Sequence, residues 1–364
     1  MSGMVGNKHV YRIVGAASLL ALLADSASAL TREEVFNYRG ADRQKVLEEG
    51  AKKEGTVVMY SAMIVNQVQR PIADAFRKKY PFIDIKYWRG DSNQIVTKLT
   101  AENQANNFVA DVVEGSGLSG GIGEAQIAAP FYSTYMDILP AKDVSNGRTW
   151  ITTRYRYIAL GYNTKLVKAD EVPRTYEDLL NPKWQGKMAW NAGTDASGAL
   201  ITITSLRAAW GEEKAEAYLA KLGKQKIANL AQSNRAVVDR VIEGEFSLGI
   251  GISAHHPIIS ARKGAPANTV LLDPVPALNG TVQVTRGSRN PHAAMLLVDF
   301  LLSEETQKFL QTAEYFPANP NVEPEESLKG IVPRNAGVGD VVITPDMLVN
   351  NTARSAQLFE KYFK

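Results

Sequence analysis

Apolar and polar residues follow one another in blocks along most of the chain, and these blocks predict strands and helices in turn. The continuous apolar run Thr56–Tyr60 has the length of a buried strand, and Ile83–Trp88 and Val109–Val113 are typical of two more. Between them, Asn66–Tyr80 and Asp91–Ala105 carry apolar residues at helical spacing. This β-α-β-α-β order predicts a parallel sheet with helices on both faces.

The middle of the chain has its own set of predicted elements. Strands are predicted at Tyr155–Tyr162, Lys187–Trp190 and Phe246–Ile252, and helices at Ser197–Trp210, Glu212–Leu222 and Asn234–Gly244. The tail then returns to a strand at 281–284, followed by helices at 291–302 and 303–312.

The length and order of these elements predict two α/β lobes. The chain is too long for one small core, and no low-complexity linker separates the middle from its flanks. We therefore expect the chain to cross between the lobes more than once. Residues 30–150 and 276–364 are predicted to form the first lobe, and residues 151–275 the second.

The N-terminus has the order of regions that is typical of a secretory signal. A polar stretch with Lys8 and Arg12 precedes the apolar run Ile13–Ala24, and the small-residue pattern 27–29 follows. The apolar run is about a dozen residues, whereas a membrane-spanning helix needs roughly 20, so a signal anchor is the weaker alternative. We predict a signal peptide, residues 1–29, that is cleaved after Ala29, and a mature chain that works outside the cytoplasm.

Composition narrows the possible functions. The chain has no cysteine, which excludes thiol catalysis and thiolate metal sites. Its formal net charge of +3 comes without a basic block, which argues against nucleic acid as a partner. Neither a His-Glu-x-x-His helix nor a nucleotide-binding phosphate loop is present, so we expect a binding protein rather than an enzyme. An exported hydrolase remains the alternative from another class.

Six segments, in the same order along the chain, carry a resemblance to a known family. They are Glu54–Ala62, Ala73–Pro81, Ala110–Val113, Leu160–Val167, Asp178–Lys187 and Asn290–Ala294. Together they resemble the periplasmic solute-binding proteins of the ferric-iron-binding type, over roughly residues 54–312. The resemblance implies a two-lobed type II periplasmic binding fold with a ligand cleft between the lobes. It also implies a periplasmic, monomeric protein that closes on its ligand and delivers it to the separate permease subunits of an ABC transporter.

The sequence departs from this family where the iron ligands are expected. In the ferric-binding members two adjacent tyrosines follow a strand of the second lobe, and here His255 and His256 take that place, before Pro257. Ferric iron favours anionic oxygen ligands, whereas imidazole suits zinc, copper or nickel better. The two histidines are therefore candidate ligand contacts and no more than candidate metal ligands. No resident cofactor is predicted.

The geometry of this histidine pair can also be predicted. Pro257 disfavours the helical conformation for the residue before it and suits a first helical turn. On extended backbone, His255 and His256 would point to opposite sides, so that both would not reach one ligand.

The first lobe offers candidate contacts after each of its three predicted strands, since ligands bind beyond the carboxyl ends of strands in open α/β sheets. They are the Ser61 hydroxyl, the Ala62 backbone N–H, the Arg89 guanidinium and the loop of Ser116 and Gly117. Arg89 could pair with a carboxylate or phosphate, although an exposed surface role is an equal alternative. The loops could also be plain turns, with Asp91 or Ser92 capping the next helix.

In the second lobe the loop before the predicted helix Ser197–Trp210 is a candidate anion site. Asp195, Ser197 and Gly198 stand at the helix start, where free N–H groups and the helix dipole favour negative charge. Asp195 or Ser197 could equally cap the helix. Tyr162, beside the predicted hinge, is a further candidate for the cleft.

These observations favour a small anionic solute, including phosphorylated compounds, as the ligand. Arg89 and the start of the helix at Ser197 motivate this preference. Ferric iron or an iron–anion complex is the alternative that the family resemblance implies. A sensor that presents its ligand to a membrane receptor would use the same fold.

Overall fold

The computed structural model describes residues 1–4, 30–192, 197–313 and 315–364. Residues 5–29, which form most of the predicted signal peptide, lie outside the described residues, as does Asp195. Within the described ranges, no helix combines the length and the apolar character that crossing a membrane requires.

Each predicted helix has a counterpart among the helices of the described chain, including those predicted at 291–302 and 303–312. The described helices are α1 (Arg32–Phe36), α2 (Arg43–Glu54), α3 (Arg70–Lys79), α4 (Ser92–Gln104), α5 (Ser119–Glu124), α6 (Gly198–Trp210), α7 (Glu212–Leu222), α8 (Asn234–Glu243), α9 (His255–Ala261), α10 (Pro291–Leu302), α11 (Glu304–Thr312), α12 (Pro333–Ala336) and α13 (Pro345–Phe363). Tyr80 caps the end of α3, and Pro81 comes next, as expected for a residue that cannot continue a helix.

The strands form one mixed sheet. They are β1 (Thr56–Ser61), β2 (Asp84–Arg89), β3 (Val112–Ser116), β4 (Ala128–Ala129), β5 (Ile151–Asn163), β6 (Met188–Asn191), β7 (Ala228–Leu230), β8 (Leu248–Ser253), β9 (Ala267–Val270), β10 (Val275–Thr285), β11 (Phe316–Pro317) and β12 (Asp340–Ile343). The main order is β2-β1-β3-β10-β5-β8-β6-β7. The predicted parallel arrangement of the first three strands is confirmed, because β1 pairs in parallel with both β2 and β3.

One long strand, β5, joins the halves of this sheet. β5 pairs antiparallel with β10 through residues 151–157 and with β8 and β9 through residues 158–163. We call β1–β4 and β10 the first half of the sheet, and β6–β9 the second half. Because β5 belongs to both, a bend along it moves one half relative to the other.

Each half of the sheet has its own apolar core. In the first, α10 is buried along nearly its whole length and packs with α2 and α3 against β1. In the second, Trp190 is fully buried beside Leu206 and Leu219. The chain therefore folds around two main cores, as two lobes require.

The C-terminal helix lies against the second core. α13 packs on α6 and α7, and its Leu358 and Phe359 join the cluster around Trp190. The predicted division assigns residues 276–364 to the first lobe, so the contacts of α13 differ from that assignment. The lobe boundaries themselves stay a prediction.

Candidate functional site

Polar residues gather where six strands end. β1, β2 and β3 run parallel in the first half, and β6, β7 and β8 run parallel in the second. They end at Ser61, Arg89 and Ser116 in the first half and at Asn191, Leu230 and Ser253 in the second. The carboxyl edge of such a sheet is where α/β proteins bind ligands, and β5 runs between these two edges.

The strand β5 carries two arginines on one face. Arg154 and Arg156 are separated by one residue, so they share a face, while Tyr155 and Tyr157 share the other. Arg154 is 6% exposed, and the Nε atom of Arg156 is fully buried. Buried guanidinium groups are unusual in a strand and require partners.

Arg154 has its partner within the protein. Its Nε lies 3.0 Å from Oε1 of Glu114, a fully buried carboxylate at the end of β3. The other oxygen of Glu114 accepts a hydrogen bond of 2.7 Å from the Ser61 hydroxyl. The ring of Tyr315 lies 4.9 Å from the guanidinium carbon of Arg154. The ion pair thus fixes Arg154 to the first half of the sheet.

Arg156 lacks such a partner. Among the described residues it makes no ion pair, and its buried Nε has no hydrogen-bond acceptor. Burial and the nearby positive charge of Arg154 together lower the pKa of Arg156 to about 10. The site therefore holds a guanidinium that remains charged near neutral pH and has no compensating carboxylate in the described chain.

The two histidines lie beside these arginines at the end of β8. Their rings are 4.5 Å apart, and the ring of His255 is 6.1 Å from that of Phe316. The Nδ1 atoms of both are buried without a hydrogen-bond partner among the described residues. The expectation that the two side chains point to opposite sides is wrong, because α9 begins at His255 rather than at Pro257. Pro257 lies within the first turn, where its missing N–H costs little.

Burial and neighbouring positive charge keep both imidazoles neutral. Desolvation has the largest effect on His255, and together with the charges of His256, Arg156 and Arg154 it lowers the pKa to about 3. Desolvation, Arg235 and Arg156 together lower the pKa of His256 to about 4, against a smaller opposing effect of Asp239. A neutral imidazole can donate one hydrogen bond and accept another.

A third arginine, Arg235, lies in this part of the site. Arg235, in the first turn of α8, donates to the Ser260 hydroxyl at 2.8 Å and to Asp239 at 2.7 Å. The Ser260 hydroxyl in turn donates to the His256 carbonyl at 3.0 Å. Arg235 is thus held by α9 and by its own helix, at the same edge as the histidines.

The start of α6 is packed tightly against β8. Ser197 caps the helix, its hydroxyl accepting from the Leu200 N–H at 3.3 Å, which confirms one of the two predicted capping roles. The Gly198 N–H donates to the side chain of Asn191. A Cβ at Gly198 would lie 2.2 Å from the carbonyl oxygen of Gly251, so only glycine fits there. That these residues contact a ligand stays a prediction.

The predicted contacts of the first half lie at the expected edge but differ in exposure. Ser61 is fully buried, and its hydroxyl also accepts from the Met63 N–H at 3.0 Å. The Ala62 N–H donates to the Glu114 carbonyl at 3.1 Å. Arg89 pairs with Ser61 in the β1–β2 register and is exposed, and Asp91, as one alternative predicted, caps α4.

The structure also shows the surroundings of three further candidate contacts, Ser116, Gly117 and Tyr162. The Ser116 carbonyl accepts from the Ser92 hydroxyl at 2.7 Å, and Gly117 has the positive φ of 74° that suits glycine. Tyr162 is partly buried and packs against the second core. Within the described residues, no group of three or more His, Asp or Glu side chains is arranged to hold a metal ion.

The sequence predictions missed the arginines and Glu114. The signal was present, because Arg154 and Arg156 alternate with tyrosines in and beside a segment that was predicted as a strand. Charged residues on one face of a buried strand indicate a site more strongly than the exposed Arg89 does.

Comparison with known proteins covers most of the chain. Residues 71–332 match the family model described as bacterial extracellular solute-binding protein. Among curated relatives, the Fe(3+)-binding periplasmic protein of Serratia marcescens is 23% identical over 279 residues, which is 74% of this chain and 80% of the relative.

Solved structures show the same fold. Iron-bound HitA from Pseudomonas aeruginosa superposes with a TM-score of 0.68 at 21% identity, covering 84% of this chain and 99% of that one. AfuA from Actinobacillus pleuropneumoniae, with bound fructose-6-phosphate, gives a TM-score of 0.65 at 23% identity, covering 85% and 99%. These neighbours are two-lobed periplasmic binding proteins, so the predicted fold class is confirmed. At these identities the likeness shows the fold and leaves the ligand open.

Proposed function

We propose, from the premise that this chain belongs to the bacterial extracellular solute-binding proteins, that it is the substrate-binding component of an ABC import system. The family and the predicted signal peptide both support export to the periplasm. The protein would capture its solute there and deliver it to the separate permease subunits.

For the ligand we propose a small anionic organic solute, with phosphorylated compounds included. The observation that carries this proposal is Arg156, whose Nε is buried without an acceptor and whose guanidinium has no compensating carboxylate among the described residues. An anionic ligand would supply the missing charge, and a carboxylate or phosphate would do so with paired hydrogen bonds. AfuA, which has the same fold, was solved with a sugar phosphate bound.

Capture would proceed by closure of the lobes and without chemistry on the ligand. Glu114 ties Arg154 to the first half of the sheet, whereas His255, His256 and Arg235 belong to the second. A ligand that contacts both groups binds the closed form more tightly than the open one. It therefore shifts the population toward the closed form, which the permease would recognise.

Ferric iron is the alternative ligand, because a relative and several solved neighbours are named for iron. The charges of the site favour an anion instead. Arg154, Arg156 and Arg235 surround the two histidines closely enough to lower their pKa values, and cations would repel a bare ferric ion. An iron–anion complex would meet less repulsion than the free ion.

Thermal-shift measurements distinguish an organic anion from ferric iron as the ligand. The mature chain would be heated with phosphate esters, phosphonates and carboxylates in one series, and with ferric salts with and without citrate in another. We expect a rise of several degrees in Tm with one or more of the organic anions. Stabilisation by ferric salts alone would contradict the proposed ligand. Turnover of a phosphate ester by the pure protein would favour the hydrolase alternative instead.

A further inference from the structure

A cavity lies on the other side of β5 from the candidate site. Its volume is about 210 Å³, and its walls include the rings of Tyr155, Tyr157 and Phe316. Successive residues of a strand point to opposite faces, so these tyrosines face away from Arg154 and Arg156. We call this space the rear cavity, and the proposed function makes no use of it.

The walls of the rear cavity form an aromatic corner. The ring centroids of Tyr155 and Tyr157 are 5.8 Å apart, and Phe316 meets Tyr157 edge-on at 4.9 Å. Five prolines, with Ala318 and Val332, supply most of the remaining lining. The faces of aromatic rings attract cations, and they suit alkylated ammonium groups because the alkyl groups also pack against apolar walls.

A buried carboxylate completes this lining. Asp143 is 1% exposed and accepts hydrogen bonds from the hydroxyls of Tyr155 and Thr152. Both hydroxyls are uncharged, so they orient the carboxylate without neutralising it. Burial raises the pKa of Asp143, which reflects the cost of a charge without a close partner. A cation bound in the rear cavity would offset that cost.

The charged groups around the rear cavity leave one negative charge unbalanced. Lys142 lies 2.9 Å from Asp340, and Arg334 lies 3.3 Å from Glu323, so each cation has a carboxylate of its own. Asp143 makes no ion pair among the described residues. The charge of Lys142 also acts on Asp143, but its side chain is half-exposed and water screens it. The lining therefore favours a positively charged guest.

We propose that the rear cavity is a second binding site, for a small alkylated ammonium ion. The aromatic corner would contact the alkyl groups of the ion, and Asp143 would balance its charge. The candidate site in front presents the guanidinium groups of Arg154 and Arg156, which would repel the same ion. The inference therefore does not rest on the proposed function.

Calorimetry with two probes of the same shape tests the charge of the guest. The probes are choline and dimethylbutanol, its uncharged analogue in which carbon replaces the nitrogen. We expect choline to bind the wild type at least about tenfold more tightly than dimethylbutanol. Equal affinity for the two probes, or no choline binding at millimolar concentrations, would overturn the proposal.

A substitution of Asp143 tests the location. Asp143→Asn removes the charge and keeps an oxygen that accepts from Tyr155, so it should weaken choline binding by about tenfold or more and leave dimethylbutanol binding unchanged. Asp170→Asn, which removes an exposed carboxylate outside the lining, is the control and should change neither affinity. Choline binding that is equal in Asp143→Asn and the wild type would place the ion elsewhere and contradict the proposal.

A second variant decides the case in which Asp143→Asn does not fold. The side chain of Arg334 lines the rear cavity and is more than half exposed, so Arg334→Gln leaves the core intact. Removing this positive charge should tighten choline binding by about threefold, with dimethylbutanol binding unchanged. Unchanged or weaker choline binding in this variant would count against a cation site.

The outcomes also separate this inference from the proposed function. If organic anions fail to stabilise the protein while choline still binds through Asp143, the ligand proposal fails and the rear cavity proposal stands. If organic anions bind and choline does not, the reverse holds.

Discussion

Arg156 places an unbalanced positive charge at the centre of the candidate site. Arg154, two residues earlier, is neutralised by Glu114, and Arg235 is paired with Asp239. A partly buried guanidinium without an ion-pair partner costs free energy in the unliganded protein, because its buried Nε loses water without replacement. A protein retains such a group when a ligand supplies the partner, so this residue connects stability with binding.

Replacing the two arginines should therefore change stability in opposite directions. Arg156→Met removes the unpartnered charge and keeps most of the volume, so the free energy of unfolding should rise by about 1 kcal/mol. Arg154→Met leaves Glu114 buried without its partner and should lower the free energy of unfolding by about 3 kcal/mol. Urea unfolding of both variants measures the difference. Equal losses in the two variants would show that Arg156 has a partner within the protein.

The histidine pair predicts how stability depends on pH. The folded-state pKa values of about 3 for His255 and about 4 for His256 lie below the ordinary value of 6.5. The unfolded chain therefore binds protons first as the pH falls, and stability that is present above pH 6.5 is lost on acidification. Between pH 6.5 and about pH 5 we expect a loss of about 1 kcal/mol or more for each histidine.

Unfolding measurements across this pH range check the prediction. His255→Asn and His256→Asn should each flatten the dependence, and the double variant should flatten it most. An unchanged slope in the double variant would mean that both imidazoles are solvated in the folded protein.

At the scale of elements, the start of α6 depends on one close backbone approach. Gly198 and Gly251 face each other, and Gly251 has a φ of 69°, where a side chain is strained. This contact brings the carboxyl edges of β6 and β8 together and sets the position of the candidate anion loop.

Gly198→Ala should displace α6 from β8. The added Cβ would lie 2.2 Å from the Gly251 carbonyl oxygen, so we expect a loss of about 1–3 kcal/mol in the free energy of unfolding. Gly330→Ala is the matched control, since a Cβ there meets no atom within 4 Å and no positive φ is involved. Thermal and urea unfolding compare the two variants, and similar stability in both would contradict the tight contact.

Most of the elements could be predicted from periodicity, and the failures have local causes. The strand predicted at Val109–Val113 begins only at Val112, because the Asp111 carboxylate accepts N–H groups from Val58 and Asn290 and interrupts the ladder. β10 begins well before the predicted strand at 281–284. Its first part is buried but has few consecutive apolar residues, so the sequence pattern did not indicate a strand there.

At the scale of the whole molecule, the two-lobed α/β class followed from the order of elements, but the site did not. The parallel arrangement of the first three strands was predicted correctly, because it follows from the order of elements, and the binding of ligand at their carboxyl ends stays a prediction. Arg156 becomes a candidate only when β5 is seen to run through both halves of the sheet. Which side chains are buried without a partner depends on packing between distant segments, and periodicity carries no information about that.

The central claim is that the cleft captures an anionic solute through Arg156. The most direct test is the calorimetric affinity of the organic anion that most stabilises the protein, measured for the wild type and for Arg156→Gln. We predict that the substitution weakens binding by at least about tenfold, because a charge-assisted pair is lost. Equal affinity in the two proteins would contradict the account.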